Sequence, residues 1–181
     1  ELFPSVPTFW GCEQMLEAIR PEIVAVATPP ETHRALVELC ANRGVRAIVC
    51  EKPIALEPGQ ARRMIESCAR AGSLLFVNHT RRFDPEIRRV RDEVRSGTIG
   101  EVLQATCYYT AGIVSTGTHA VDLLRFLLGE PSWVMAVAND RGGCPDGDQA
   151  VDGLIQFGGG TRAFLQFLDV GDYSIFDAHL F

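Results

Sequence analysis

The chain has no surplus of positive charge. Seventeen lysines and arginines stand against twenty-three aspartates and glutamates, a net charge of −6, so no basic field exists to hold a nucleic-acid backbone. No apolar run approaches the ~18–20 residues that a membrane-spanning helix needs, and cationic amphipathic stretches of the membrane-surface kind are not evident. The six cysteines (Cys12, Cys40, Cys50, Cys68, Cys107 and Cys144) include no C-x-x-C pair. No two of the four histidines (His33, His79, His119 and His179) share a ligand spacing, so no metal site and no metal-dependent hydrolysis is expected. Several cysteines lie inside apolar runs, where a free thiol behaves as a small hydrophobe, and a reducing cytoplasm is the simplest setting. There is no G-x-S-x-G elbow for a serine hydrolase, and no G-x-G-x-x-G phosphate loop after a strand. The chain opens Glu-Leu-Phe-Pro, with no initiator methionine and no signal segment, which reads as part of a longer protein or a processed one.

What is present is ordinary for a soluble globular protein. Of 181 residues, 46% are hydrophobic and 22% charged, enough for one medium domain or two small ones. Residues 22–28 (EIVAVAT) form a continuous apolar run closed by Pro29-Pro30, the pattern of a parallel strand buried on both faces. A helical pattern follows from Glu31 to a stop at Gly44, then a strand over 46–50 (RAIVC), a helix from about Pro58 to Ala71 with Gly72 at its end, and a strand over 74–78 (LLFVN). Strand, helix, strand, helix, strand predicts a βαβαβ unit with right-handed crossovers, preceded by a short helix near 13–19.

Beyond Thr80 the pattern changes. A helix rich in arginine starts at Asp84-Pro85 and stops at Gly97, a long strand is expected over 99–110, and a helix over 118–128 precedes Gly129. Strands are then expected over 133–138, 151–157, 162–170 and 173–180, with Gly158-Gly159-Gly160 as a hairpin turn. Runs of strands without helices between them predict an α+β second half with a mostly antiparallel sheet, and a boundary near 79–83. We therefore divide the chain into residues 1–80 and 81–181. One face of the second sheet, carrying Val134, Leu154, Ile155, Phe164 and Phe167 in part, is expected to stay partly uncovered.

Ligands of an open parallel sheet bind outside the carboxyl ends of its strands. Three polar clusters fall there: Thr28-Pro29-Pro30 with His33, Glu51-Lys52-Pro53, and Asn78-His79 with Arg81-Arg82. Each alone reads as turn chemistry, a solvated lysine or a surface histidine. Their convergence on one edge argues for a binding site.

Taken in order, AVATPPETH, IVCEKPIAL, FVNHTRRFDP, SGTIGEV and GTHAVDLLRFLLG resemble the Gfo/Idh/MocA family of NAD(P)-dependent oxidoreductases over nearly the whole chain. The combination of E-K-P with G-x-H-x-x-D is what makes the resemblance specific. It implies the carboxyl-terminal half of a Rossmann sheet followed by an α+β domain, with the G-x-G-x-x-G segment upstream and further strands downstream. It also implies NAD or NADP as cofactor and a sugar, cyclitol or related polyol as substrate. Lys52 would hold the reacting oxygen, where an ammonium stabilises developing negative charge. His119 would move the proton of that hydroxyl, since imidazole titrates near operating pH. Asp122, one helical turn on, would bind a substrate hydroxyl or orient the site; read alone it is equally an exposed helix carboxylate favoured by the dipole. Thr28, Pro29 and His33 would lie along the dinucleotide, and Glu51 and Pro53 would shape the loop under the nicotinamide. One of Arg81 and Arg82 would approach cofactor or substrate while the other makes a structural ion pair; Arg81 is carried as the cofactor residue.

The chain departs from the family pattern at Ser115, where many members carry an acidic residue four positions before the histidine. A serine holds no compensating charge there, which leaves open a second class of function, a non-catalytic ligand sensor or scaffold on the same fold. The family's usual subunit contacts through the second sheet imply a homo-oligomer.

Overall fold

The computed structural model describes residues 5–139, 144, 147–169 and 173–181. The chain divides into two compact units, Glu1–Asn78 and His79–Phe181.

The first unit contains α1 (Cys12–Ile19), β1 (Ile23–Val26), α2 (Pro30–Asn42), β2 (Ala47–Cys50), α3 (Pro58–Ala71) and β3 (Leu74–Val77). The strands pair in parallel, in the order β1-β2-β3. Proline opens both α2 and α3, where its missing N–H is not needed and its φ is already helical. Gly72 ends α3 in the left-handed conformation (φ 71°). Val24, Val26, Ile48 and Cys50 are buried against Val37, Cys40, Ala41, Met64 and Cys68 of α2 and α3. Burial pushes the Cys40 and Cys50 thiols up to about 12 and about 11, which makes them packing groups rather than nucleophiles.

The expectation of strands buried on both faces is corrected here. Ile23, Leu74 and Phe76 are 66%, 61% and 49% exposed. Two crossovers of one hand between strands in sequential order carry α2 and α3 to the same side of the sheet, so the other side is left without a helix layer from these crossovers.

The second unit starts with a 3-10 turn (Thr80–Phe83) and α4 (Pro85–Ser96). Asp84 caps α4, its Oδ1 accepting the N–H groups of Glu86 (2.8 Å) and Ile87 (3.1 Å), and Gly97 closes it. Then follow β4 (Gln104–Tyr109), a π-helical turn (Ile113–Gly117), α5 (Thr118–Leu128), β5 (Pro131–Asn139), β6 (Ala150–Phe157), β7 (Arg162–Phe167) and β8 (Phe176–Leu180). The sheet order is β5-β6-β7-β4-β8, antiparallel except for β4 beside β7. The strand expected over 99–110 is shorter because Gly100 (φ 86°) turns the chain back onto Gly97. Position 170 of the third expected strand lies outside the described residues.

One sheet face packs on α5, burying Ala105, Cys107, Tyr109, Ile155, Phe157, Ala163, Leu165 and Phe167 with Ala120 and Leu124. Tyr109 donates its hydroxyl to the Val151 carbonyl at 2.6 Å, and burial pushes the phenol up to about 12. The expected uncovered face mixes two faces. Ile155 and Phe167 are buried on the α5 side, and Val134 pairs with Ile155, sharing that side though 66% exposed at the edge strand. The opposite face carries Met135, Leu154 and Phe164 in one cross-strand row, and of these Met135 is 60% exposed.

Candidate functional site

In the first unit the three strand ends are tied to one another. The side chain of Thr32 donates to the Pro29 carbonyl (2.7 Å), which leaves the Thr28 hydroxyl to donate to Thr32 Oγ1 (2.6 Å). His33, fully buried on α2, sets Nε2 2.8 Å from the Thr28 carbonyl and Nδ1 3.0 Å from the Pro53 carbonyl. One imidazole therefore bridges the loop after β1 to the loop after β2. Asn78, after β3, donates to Glu51 Oε1 at 2.6 Å and ties the third strand end to the second. Lys52, the only lysine in the chain, lies between these ties, partly buried and next to a cis peptide to Pro53. Thr28 and Pro29 are exposed on the same edge.

In the second unit, His119 and Asp122 project from the first turns of α5. Asp122 is 8% exposed, so the exposed helix carboxylate considered above is ruled out. Arg82 Nε lies 2.9 Å from both of its oxygens, and Arg82 Nη2 lies 2.8 Å from Oδ1. That hydrogen-bonded carboxylate raises the Arg82 guanidinium above its ordinary value. His79 Nδ1 is 3.6 Å from Asp122 Oδ2, and its ring meets that of His119 edge-on at 6.1 Å. Arg82 and Arg91 stand 5.1 Å and 4.7 Å from the centre of the Phe126 ring. Of the two adjacent arginines, Arg82 makes the ion pair. Arg81 lies over the Phe176 ring at 4.1 Å.

Truncating Asp122 leaves Arg82 without its bidentate partner. Asp122→Ala is expected to destabilise the protein by about 2 kcal/mol, below the value for a fully buried pair because the Arg82 side chain is 37% exposed. Chemical denaturation measures this, and a loss under about 0.5 kcal/mol contradicts a structural pair.

The clusters that hold Thr28, Glu51, Lys52, Asn78, His119 and Asp122 were all legible in the sequence. The buried bridge made by His33, the Asn78–Glu51 tie and the approach of His79 to Asp122 and His119 were not. Position 79 reads as an ordinary histidine until α5 is placed beside it. Among the described residues no group of three or more His, Cys, Asp or Glu side chains could hold a metal ion, and no helix is long and apolar enough to cross a membrane.

A parallel β1-β2-β3 unit with polar loops at one edge and its crossover helices has the architecture of part of a Rossmann sheet. Residues 3–79 match the Gfo/Idh/MocA family, described as an oxidoreductase family with an NAD-binding Rossmann fold. It is 34% identical over 142 residues to D-apiose dehydrogenase of Paraburkholderia graminis, which covers 69% of this chain and 38% of that protein. It is 36% identical over 149 residues to inositol 2-dehydrogenase of Rhizobium meliloti, covering 71% of this chain and 45% of that one. The chain thus spans less than half the length of these relatives. The fold is shared with the WlbA dehydrogenase of Bordetella pertussis, solved with NADH and UDP-GlcNAcA, at 19% identity and a TM-score of 0.86 over 97% of this chain and 57% of that one.

Proposed function

We propose that this chain is part of an NAD(P)-dependent dehydrogenase that moves a hydride between the nicotinamide and a hydroxyl-bearing carbon of a sugar, cyclitol or related polyol. The observation that carries the reading is the cross-tied edge of the parallel sheet. His33 and Asn78 hold three strand ends together around the chain's only lysine. This edge suits a dinucleotide: Thr28 and Pro29 are exposed along it, and the Glu51–Asn78 pair stiffens the loop that carries Lys52. His33 has no exposed surface, so its part is to set the Thr28 and Pro53 loops rather than to touch the ligand. Bound there, the nicotinamide supplies or accepts the hydride.

The remaining chemistry falls to this chain's side chains. Lys52 stabilises negative charge on the reacting oxygen, and His119 takes or returns its proton. Asp122 orients the site through its bidentate bond to Arg82, or binds a substrate hydroxyl through its remaining acceptor positions. Arg81 contributes positive charge towards the cofactor. The relatives named for inositol and apiose support a polyol substrate.

The test is a panel of cyclitols, aldoses and other polyols with NAD and with NADP, using the whole protein and following reduced nicotinamide. Reduction with at least one polyol is expected. No reduction with any, despite nucleotide binding, favours the non-catalytic sensor or scaffold.

The six free cysteines suit a reducing cytoplasm. We also assign the Met135–Leu154–Phe164 face to contact between subunits of a homo-oligomer. Phe164→Glu is expected to lower the mass measured by light scattering, and a wild-type monomer at micromolar concentration contradicts the assignment.

A further inference from the structure

The segment leading to His119 is fastened from a distant part of the chain. The π-helical turn Ile113–Gly117 runs straight into α5, and Gly112 before it offers no side-chain cap. The first N–H groups of such a segment have no partner within it. Here they are met by residues 148 and 149. Asp148 Oδ1 accepts the Val114 N–H and Oδ2 accepts the Ser115 N–H, each at 2.8 Å. The Gln149 carbonyl accepts the Ile113 N–H at 2.8 Å, and Asp148 Oδ1 also accepts the Gln149 N–H at 2.8 Å.

The carboxylate can come this close only because position 112 is glycine. Its φ of 89° is open to few other residues, and a Cβ there would meet Asp148 Cγ at 2.3 Å. At the far end, Gly117 is wedged in the same way, since a Cβ would meet Ile113 Cδ1 at 2.6 Å and Tyr109 Cε2 at 3.0 Å. Thr118 then returns its hydroxyl to the Val114 carbonyl at 3.1 Å.

A local serine or aspartate would start a helix equally well. What a cap from 33 and 34 residues away adds is register, because Asp148 stands two residues before β6. It fixes where the helical segment begins relative to the sheet, and His119 is the second residue of α5. The carboxylate also places a negative charge at the N–H of Ser115, one turn before His119, where the chain's own side chain has none.

We propose that Asp148, seated against Gly112, is a positioning residue that sets His119 for proton transfer; the proposal rests on the dehydrogenase reading above. A displacement of about 1 Å at a reacting group is enough to cost on the order of 10²-fold in rate.

The experiment compares wild type, Asp148→Asn, Asp148→Ala, Gly112→Ala and the double variant Gly112→Ala/Asp148→Ala in the whole protein. Polyol oxidation, nucleotide affinity and amide hydrogen exchange are measured on each. Each single change is expected to lower kcat about 10–100-fold, with the NAD dissociation constant within about twofold of wild type. The double variant should lose no more than the worse single, since both changes release the same clamp. The Val114 and Ser115 amides should exchange about tenfold faster in Asp148→Ala, while β1–β3 amides stay protected.

Unchanged kcat despite faster exchange at these amides overturns the positioning role. Unchanged exchange overturns the clamp itself. A multiplicative loss in the double variant, or faster exchange throughout the chain, reduces Asp148 to a general structural residue and also overturns the proposal. If the wild-type protein oxidises no polyol with either nucleotide, the dehydrogenase reading falls instead, and the exchange rates, which need no substrate, still decide the clamp.

Discussion

Lys52→Ala is expected to lower kcat for polyol oxidation by about 10³-fold, with the nucleotide dissociation constant moving less than about threefold. Removing one preorganised group that stabilises charge on a reacting oxygen costs on the order of 10²–10³ in kcat, and a full charge belongs at the upper end. The split between turnover and nucleotide binding follows from the architecture. The edge proposed to take the dinucleotide is held by the His33 bridge and the Asn78–Glu51 pair, neither of which uses the Lys52 ammonium. Lys52→Arg keeps the charge but spreads it over a planar fork, so it should restore only a small part of the rate. Stopped-flow kinetics with nucleotide titration by fluorescence measures both quantities. Turnover within threefold of wild type in Lys52→Ala removes the lysine from the mechanism.

His119→Ala should cost about 10²–10⁴-fold in kcat, the range for loss of a positioned acid–base group, and added imidazole should return part of it. The surroundings of His119 favour that role. Asp122, three residues further along α5, is held by Arg82 from the 3-10 turn before α4, and the His79 ring lies edge-on to that of His119 at 6.1 Å. A His119→Ala protein with kcat within threefold of wild type and no response to imidazole contradicts the assignment.

Much of this was legible in the sequence, for identifiable reasons. The βαβαβ unit follows from apolar runs of strand length punctuated by Pro30, Pro58 and Gly72, whose backbone preferences act locally. The helix over 118–128 was found with both ends correct because Gly129 and the spacing of Leu124 and Leu127 are also local signals. What escaped depends on partners distant in the chain. The parallel pairing of β4 with β7 joins residues with Gln104 opposite Arg162, and no pattern within either strand specifies it. The π-helical turn takes its first hydrogen bonds from Asp148, more than thirty residues on, which accepts the Val114 and Ser115 N–H groups. The open side of the first sheet contradicts the run-of-apolar rule because that rule assumes helices on both faces, and both crossovers here lie on one. Asp122 was ambiguous in sequence between an exposed helix carboxylate and a site residue. Its burial and its bidentate bond to Arg82 resolve the first of these, since a side chain forty residues earlier occupies both oxygens.

The central claim is hydride transfer, and isotope tracing tests it most directly. The whole protein is incubated with NAD or NADP and a polyol deuterated at its carbinol carbons, and the reduced nucleotide is analysed by mass spectrometry and NMR. The account predicts one deuterium at nicotinamide C4, delivered to a single face, and accumulating about 10³-fold more slowly when Lys52→Ala replaces the wild type. Nucleotide bound but never reduced, or reduced without carrying the label, would contradict it.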